Sequence, residues 1–338
     1  MHKSKWFWVL VLVLSLCLGG VVYGASELKP VTLTWVAGGV GGGWYTQAGA
    51  LASLINQKEP NITIKVVPGG GVVNPMRVSS GEADLGWGIT FVDRMAYQGL
   101  KPLYQEPCSK VRALGGYFGY YHIHFVADAQ SGITTVKELV DMIKAGKPIR
   151  VAIPMKGTSD LPLLERILAF YGVSLEDIKK AGGEYFHAVY ADMVSLYKDR
   201  HVDFVVTHLS LPAAAVTEMF VSRSSVLLAV SNECIDAISK ELGTVPRESG
   251  LCVIPAGTYK GQDKDVPAVA TAGELLVRAD LADDVVYAIT KILCENIEEV
   301  YKAHPANKTF DPKIGWKNIA VPLHPGAERY YREKGYMK

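Results

Sequence analysis

Five glycines between positions 38 and 43 constrain this chain more than any other feature. They sit in the stretch Ala37–Leu54, AGGVGGGWYTQAGALASL, directly after the β-branched run Val31-Thr32-Leu33-Thr34-Trp35-Val36, which reads as a strand. Gly38, Gly39, Gly41, Gly42 and Gly43 permit positive φ and let a ligand approach the backbone. Beyond Trp44 and Tyr45, the residues Ala48, Leu51, Ala52 and Ile55 recur at helical spacing. A strand, a glycine-rich turn and a helix N-terminus present N–H groups at the positive end of a helix dipole. That is an anion site in outline.

The pattern recurs. Ile62–Val67 reads as a strand and runs into Pro68-Gly69-Gly70-Gly71; Asn74 then reads as a helix N-cap, with Pro75 at the first helical position and Gly81 at the end. Ala83–Ile89 returns as a strand, with Trp87 near its end and Thr90 just after it. Tyr120–Val126 is a further strand, and Thr135 with Glu138 forms a capping box. Ile149–Ile153 enters a third turn, Gly157-Thr158-Ser159-Asp160, followed by a helix to Tyr171. Val202–Val206 is a strand leading to His208 and Ser210, and a long amphipathic helix starts at Leu281.

In a parallel α/β sheet such turns share the carboxyl edge, where ligands bind. The order of elements predicts two α/β lobes with a cleft between them, closing about short strand-like crossovers. The expected boundaries are 25–124 for the first lobe, 125–228 for the second, and 229–338 for a return to the first with C-terminal helices.

Residues 1–24 read as an export signal: Lys3 and Lys5, then the apolar run Trp6–Leu18, then small residues with cleavage after Gly24 and Val22 at the −3 position. The run is short of the ~20 residues of a membrane span; an uncleaved anchor is the alternative, and Leu16 before Cys17 makes a poor lipoprotein site. A periplasmic location follows. With 35 basic and 34 acidic residues the net charge is +1, which supplies no broad field for nucleic acid or anionic lipid. Cys108, Cys234, Cys252 and Cys294 remain after the signal; Cys234–Cys252 could close a disulfide loop, or all four could be buried thiols.

Catalytic and cofactor signatures fare badly. The glycine stretch begins like a dinucleotide fingerprint, but Trp44 stands where the third glycine belongs, and neither a phosphate-loop lysine motif nor a GxSxG elbow is present. His122 and His124 share a strand face, but without a third ligand at matched spacing they read as packing positions rather than a metal site. His208 beside Ser210 imitates a base and nucleophile, without the geometry that would make them one. No cofactor, no metal and no enzyme activity are expected.

Four stretches carry a family resemblance: the opening turn, VPGGGVVNPMRVSSGEADLGW, IPAGTYKGQDKDVPAVATAGELLVRADLADDVVYAITKIL and the C-terminal VPLHPGAERYYREKG. The chain resembles the substrate-binding protein of a tripartite ATP-independent periplasmic (TRAP) transporter of the TAXI subfamily. The resemblance implies a bilobal type II periplasmic-binding-protein fold with two Rossmann-like lobes and a two-strand hinge. It also implies capture of a small carboxylate or amino acid and delivery to TRAP membrane permease subunits. Carried over, the binding residues would be Gly39, Gly41, Gly42 and Tyr45; Gly70, Gly71 and Asn74; Thr90; and Gly157 with Thr158.

The departures from that pattern share a direction. Val40 and Gly43 stand where the family usually has threonines, Trp44 replaces a tyrosine, Leu161 replaces a frequent arginine, and Asp160 adds a negative charge. A buried carboxylate needs paired donors, which the backbone still supplies. The expected solute is therefore an acid or amino acid with an apolar body, stacked on Trp44 or Trp87 and bounded by Val40, Gly43, Ser159, Asp160 and Ser210. A cationic group held by Asp160 and the aromatics is the alternative. A receptor of an ABC importer or a sensory system has the same requirements, and an enzyme on this fold is the remoter option.

Overall fold

The strand Val31–Val36 (β1) turns Leu33, Trp35 and Val36 inward and is the seed of the first half of the fold. The computed structural model describes residues 28–40 and 42–338; the expected export signal, Cys17 and Gly41 lie outside the described residues. Helix α1 (Gly43–Lys58) leads to β2 (Ile62–Val67), and α2 (Asn74–Ser80) leads to β3 (Leu85–Ile89). Both strands pair parallel with β1, one on each side, so their carboxyl ends share one edge. After α3 (Thr90–Gln98) comes β4, which runs without a break from Val111 to Asp128.

The second half repeats the plan. Helix α4 (Val136–Lys144) starts at the Thr135–Glu138 capping box, and β5 (Arg150–Pro154), α5 (Asp160–Phe170), α6 (Leu175–Lys180), β6 (Glu184–Ala188), α7 (Tyr190–Lys198) and β7 (Phe204–Ser210) follow. β5 lies between β6 and β7, parallel to both. Then come α8 (Ala214–Ser222), β8 (Ser225–Leu227) beside β4, α9 (Asn232–Leu242), and the antiparallel pair β9 (Val253–Ile254) and β10 (Val266–Pro267). The chain closes with β11 (Ala270–Arg278), α10 (Asp283–Glu295), α11 (Ile297–Ala303) and α12 (Pro325–Glu333).

Among the described residues nine strands make one sheet in the order β2-β1-β3-β11-β4-β7-β5-β6, with β8 also on β4, and β9 with β10 makes a separate two-stranded sheet. The antiparallel strands β4 and β11 join the two parallel groups. This is a mixed α/β fold, as the order of elements predicts, and its strands form a central curled sheet flanked by helices. Among the described residues no helix is long and apolar enough to cross a membrane.

β4 is longer than its sequence suggests, because glycines interrupt its first part. They are there to let another segment pass. The N–H of Gly116 donates to Gly315 O at 2.7 Å, and a Cβ on Gly115 would meet the Tyr331 hydroxyl at 2.8 Å. Tyr117 takes a left-handed φ of 63°, and the pairing with β11 slips between Ala272 and Glu274. All four described cysteines, Cys108, Cys234, Cys252 and Cys294, are buried free thiols, so the Cys234–Cys252 disulfide is not formed. The Cys252 thiol donates instead to Val245 O at 3.2 Å.

At the slip lies an unusual pair. Asp93 of α3 and Glu274 of β11 are fully buried within hydrogen-bonding reach of each other. Glu274 Oε2 accepts from the Ala320 N–H at 3.0 Å, whereas neither Asp93 oxygen nor Glu274 Oε1 accepts from any N–H or hydroxyl group. Burial pushes both carboxyls above the carboxylate range, with mutual repulsion adding to Asp93. The pair therefore holds a proton that the unfolded chain releases above about pH 4. Folded protein binds more protons than unfolded protein in that range, so stability falls as pH rises through the raised values. Asp93→Asn replaces the shared proton with a permanent N–H donor. Its unfolding midpoint should exceed that of the wild type at pH 8, by roughly 2–4 °C per kcal/mol relieved. Near pH 4 the two midpoints should converge; a constant difference in thermal melts across pH would contradict the shared proton.

Candidate functional site

Three turns meet at one cavity. Turn A (37–43) links β1 to α1, turn B (68–73) links β2 to α2, and turn C (155–159) links β5 to α5. A and B are stitched by the Ala37 N–H to Val67 O at 3.0 Å and the Gly69 N–H to Gly38 O at 3.1 Å. Asn74 completes the stitch. Its Oδ1 accepts from the Gly70 N–H at 2.9 Å, and its Nδ2 donates to Ala37 O and Trp87 O, both at 2.8 Å. It is wholly buried and caps nothing: the N-cap of α2 is Val73.

Turn B then rests on turn C, backbone against backbone. The Val72 N–H donates to Gly157 O at 3.0 Å. A Cβ on Gly70 would stand 2.7 Å from Gly157 O, and one on Gly71 would stand 2.7 Å from Ser159 Cβ. Neither glycine is left-handed, so close approach alone excludes a side chain there. Gly157 does need its freedom, at a φ of 91°.

The turns enclose a cavity of about 180 Å³. Of the residues expected from sequence, Gly39, Val40, Gly42, Gly43, Trp44, Gly70, Gly71, Gly157, Thr158, Ser159, Asp160 and Ser210 line it. Four described ones do not. Trp87 is fully buried and acts as a strut, its Nε1 donating to Trp44 O at 3.1 Å while Trp44 packs on it with ring centroids 6.3 Å apart. Asn74 acts from behind the turns, Tyr45 is partly buried against the core of the first half, and Thr90 opens α3 beyond the cavity edge. Sequence reasoning missed Tyr121, which meets Trp44 edge-on at 5.6 Å, and also Tyr190, Met155, Lys156, Val189 and His304. His304 comes from the chain's return, more than 250 positions from turn A, so no local pattern announces it. His208 and Ser210, two positions apart on β7, both line the cavity.

The polar groups are mostly neutral donors. In the first turn of α1, the Tyr45 and Thr46 N–H groups bond Gly42 O, whereas those of Gly43 and Trp44, both on the cavity wall, bond no backbone carbonyl among the described residues. His304 Nδ1 accepts from the Ala306 N–H at 3.2 Å, which places the proton of the neutral ring on Nε2, beside Gly43. Burial lowers the pKa of His304, and it pushes His208 down to about 3 with help from His122. His208 Nε2 pairs with Thr271 Oγ1 at 2.8 Å, and its Nδ1 lies 3.4 Å from Ser159 Oγ.

Asp160 is the one buried carboxyl on the wall among the described residues. Burial pushes it up to about 6, against the pull of the Tyr190 hydroxyl and the His208 N–H, which both donate to Oδ1 at 2.9 Å. His122 and His124 lie deeper as packing residues: His122 Nε2 donates to Leu251 O at 2.8 Å, and His124 Nε2 pairs with the Tyr259 hydroxyl at 2.8 Å. Among the described residues no group of three or more such side chains is placed to hold a metal ion.

The sequence matches the NMT1-like family over residues 36–335, and the chain belongs to that family. Among solved structures it is similar to MatC from Rhodopseudomonas palustris with bound malate, at 13% identity and a TM-score of 0.55 over 90% of this chain and 98% of that one. It is also similar to the periplasmic binding protein BugD, at 15% identity and 0.52, over 92% and 99%. PhnD1 from Prochlorococcus marinus in complex with methylphosphonate matches at 12% and 0.52, over 91% and 100%. At these identities the likeness is one of fold, and that fold is the periplasmic-binding-protein fold.

Gly70→Ala tests the contact of the turns. The added methyl has no room against Gly157 O and should hold turns B and C apart, since overpacking costs about 1–3 kcal/mol. Affinity for a cleft ligand should fall roughly tenfold or more, and the melting temperature of the free protein should drop by a few degrees. Unchanged affinity by calorimetry would show that the two turns need not touch for binding.

Proposed function

We propose that this chain is the exported solute receptor of a membrane transport system, and that it closes its two halves over a small organic acid with an apolar body. The observation that carries the reading is the direct contact of turns B and C over a cavity whose polar lining is chiefly neutral donors. A backbone-on-backbone contact fits surfaces that separate and reseat about β4 and β11. The first-turn N–H groups of α1, the His304 Nε2–H and the hydroxyls of Ser159 and Ser210 give one anionic group hydrogen bonds without a buried counter-charge, while the Thr158 hydroxyl is taken up by Met155 O at 2.9 Å. Trp44, Tyr121, Ile89 and Leu209 supply an apolar wall.

The C-terminal stretches that resemble TAXI-type TRAP receptors favour TRAP permease subunits as the partner, with an ABC importer or a sensory system as the alternative. The expected export signal favours the periplasm, and the small soluble ligand makes nucleic acid an unneeded partner.

Asp160 favours a second reading, a cationic ligand group, and its titration separates the two. A carboxyl titrating near 6 is neutral below that pH and charged above it. If the ligand is an acid, its affinity should fall by roughly tenfold as pH rises from 5 to 7.5, because the ionising Asp160 repels it. A cationic ligand should show the opposite slope. Asp160→Asn should flatten either slope between those pH values. Calorimetry with a panel of monocarboxylates and amines reads both. Tighter binding of amines, with affinity rising through pH 6, would replace the acid reading by the cationic one.

A further inference from the structure

The polarity of the cavity runs opposite to that of an ordinary protein surface. Its buried floor is polar: Ser159, His208 and Ser210 are all buried there. Its exposed mouth is apolar. Val40 is 68% exposed, Met155 44% and Val189 45%, and all three line the cavity. They come from both sides of the cleft, Val40 from turn A, Met155 from turn C and Val189 from the turn between β6 and α7. Large apolar side chains scattered singly on a surface need no explanation, but three converging on one opening form a patch that does. Lys156 is the charged residue at this rim, on a long stem that keeps its ammonium in water.

We propose that Val40, Met155 and Val189 form a collar for the tail of the solute, so that the ligand is a linear amphiphilic acid with its head on the polar floor and its chain leaving through the mouth. This rests on the acid reading above and adds to it that chain length is what the rim selects. A wholly enclosed, doubly charged acid has no use for an apolar rim. A tail threading it removes apolar surface of both partners from water, at a gain proportional to the length covered.

The test uses n-alkanoates from four to ten carbons, each below its micellar range, titrated calorimetrically into the full mature chain. The comparison is a triple variant, Val40→Ser with Met155→Gln and Val189→Ser. These positions are exposed, so the variant should melt close to wild type, and its melting curve is recorded first. In wild type, affinity should rise roughly two- to fourfold per added methylene over the longer members. In the variant affinity should fall by an amount that grows with the length of the acid, so that the rise with length is largely lost. Equal slopes in the two proteins would overturn the collar and leave the acid reading in place, as would an acid that binds wild type with no dependence on length. If no alkanoate of any length binds either protein, the acid reading itself fails, and the collar falls with it.

Discussion

The cleft depends on one buried amide. Asn74 ties together three strands of the first half, accepting from turn B and donating to turn A and to Trp87 O in the middle of β3. Each such hydrogen bond adds only about 1 kcal/mol net, but a buried polar group left without a partner costs about 1–3 kcal/mol. The side chain is therefore held less by what it gains than by what its three partners would lose. It fixes the height at which Gly70 and Gly71 stand, and that height lets them touch Gly157 and Ser159 across the cleft. Trp87 backs the same arrangement through its bond to Trp44 O, so the aromatic wall of the cavity is set by the same strand.

Behind the cleft, β4 and β11 carry the two halves on one sheet, and the region where they slip past each other is built for adjustment. A left-handed tyrosine, a glycine run crossed by the C-terminal segment and a proton-sharing carboxyl pair all fall there. A uniformly packed apolar core would hold that region in one arrangement more firmly. Protonation of Asp93 and Glu274 thus bears on the stability of the frame, whereas Asp160 bears on the ligand. The two titrations act at separate places.

Much of the frame was legible in the sequence because it rests on local rules. The β-branched runs gave β1 and β2 at their observed bounds, and the Thr135–Glu138 box started α4 where expected. What escaped was decided by contacts distant in sequence. The first part of β4 was hidden by Gly115 and Gly116, which make room for the passage of residues 315–318, and by Gly119, which takes a positive φ of 103° beside Ala306. Asn74 before Pro75 looks locally like a cap, and only the neighbouring strands show it to be a brace. Trp44 and Trp87 stand equally close to glycines, yet the pleat of β3 buries one while the first turn of α1 presents the other. His304 and Tyr190 reach the cavity from remote elements, beyond any periodicity of the turns themselves.

The proposed solute, a small acid, is held where turns B and C meet. Native mass spectrometry of the mature protein as isolated tests this most directly, with Gly70→Leu as the control in which the turns are propped apart. The account predicts a discrete adduct of a few hundred daltons or less on wild type, identified as an acid after release, and little or none on the variant. The same adduct at equal occupancy on both proteins, or a released solute carrying no acidic group, would contradict it.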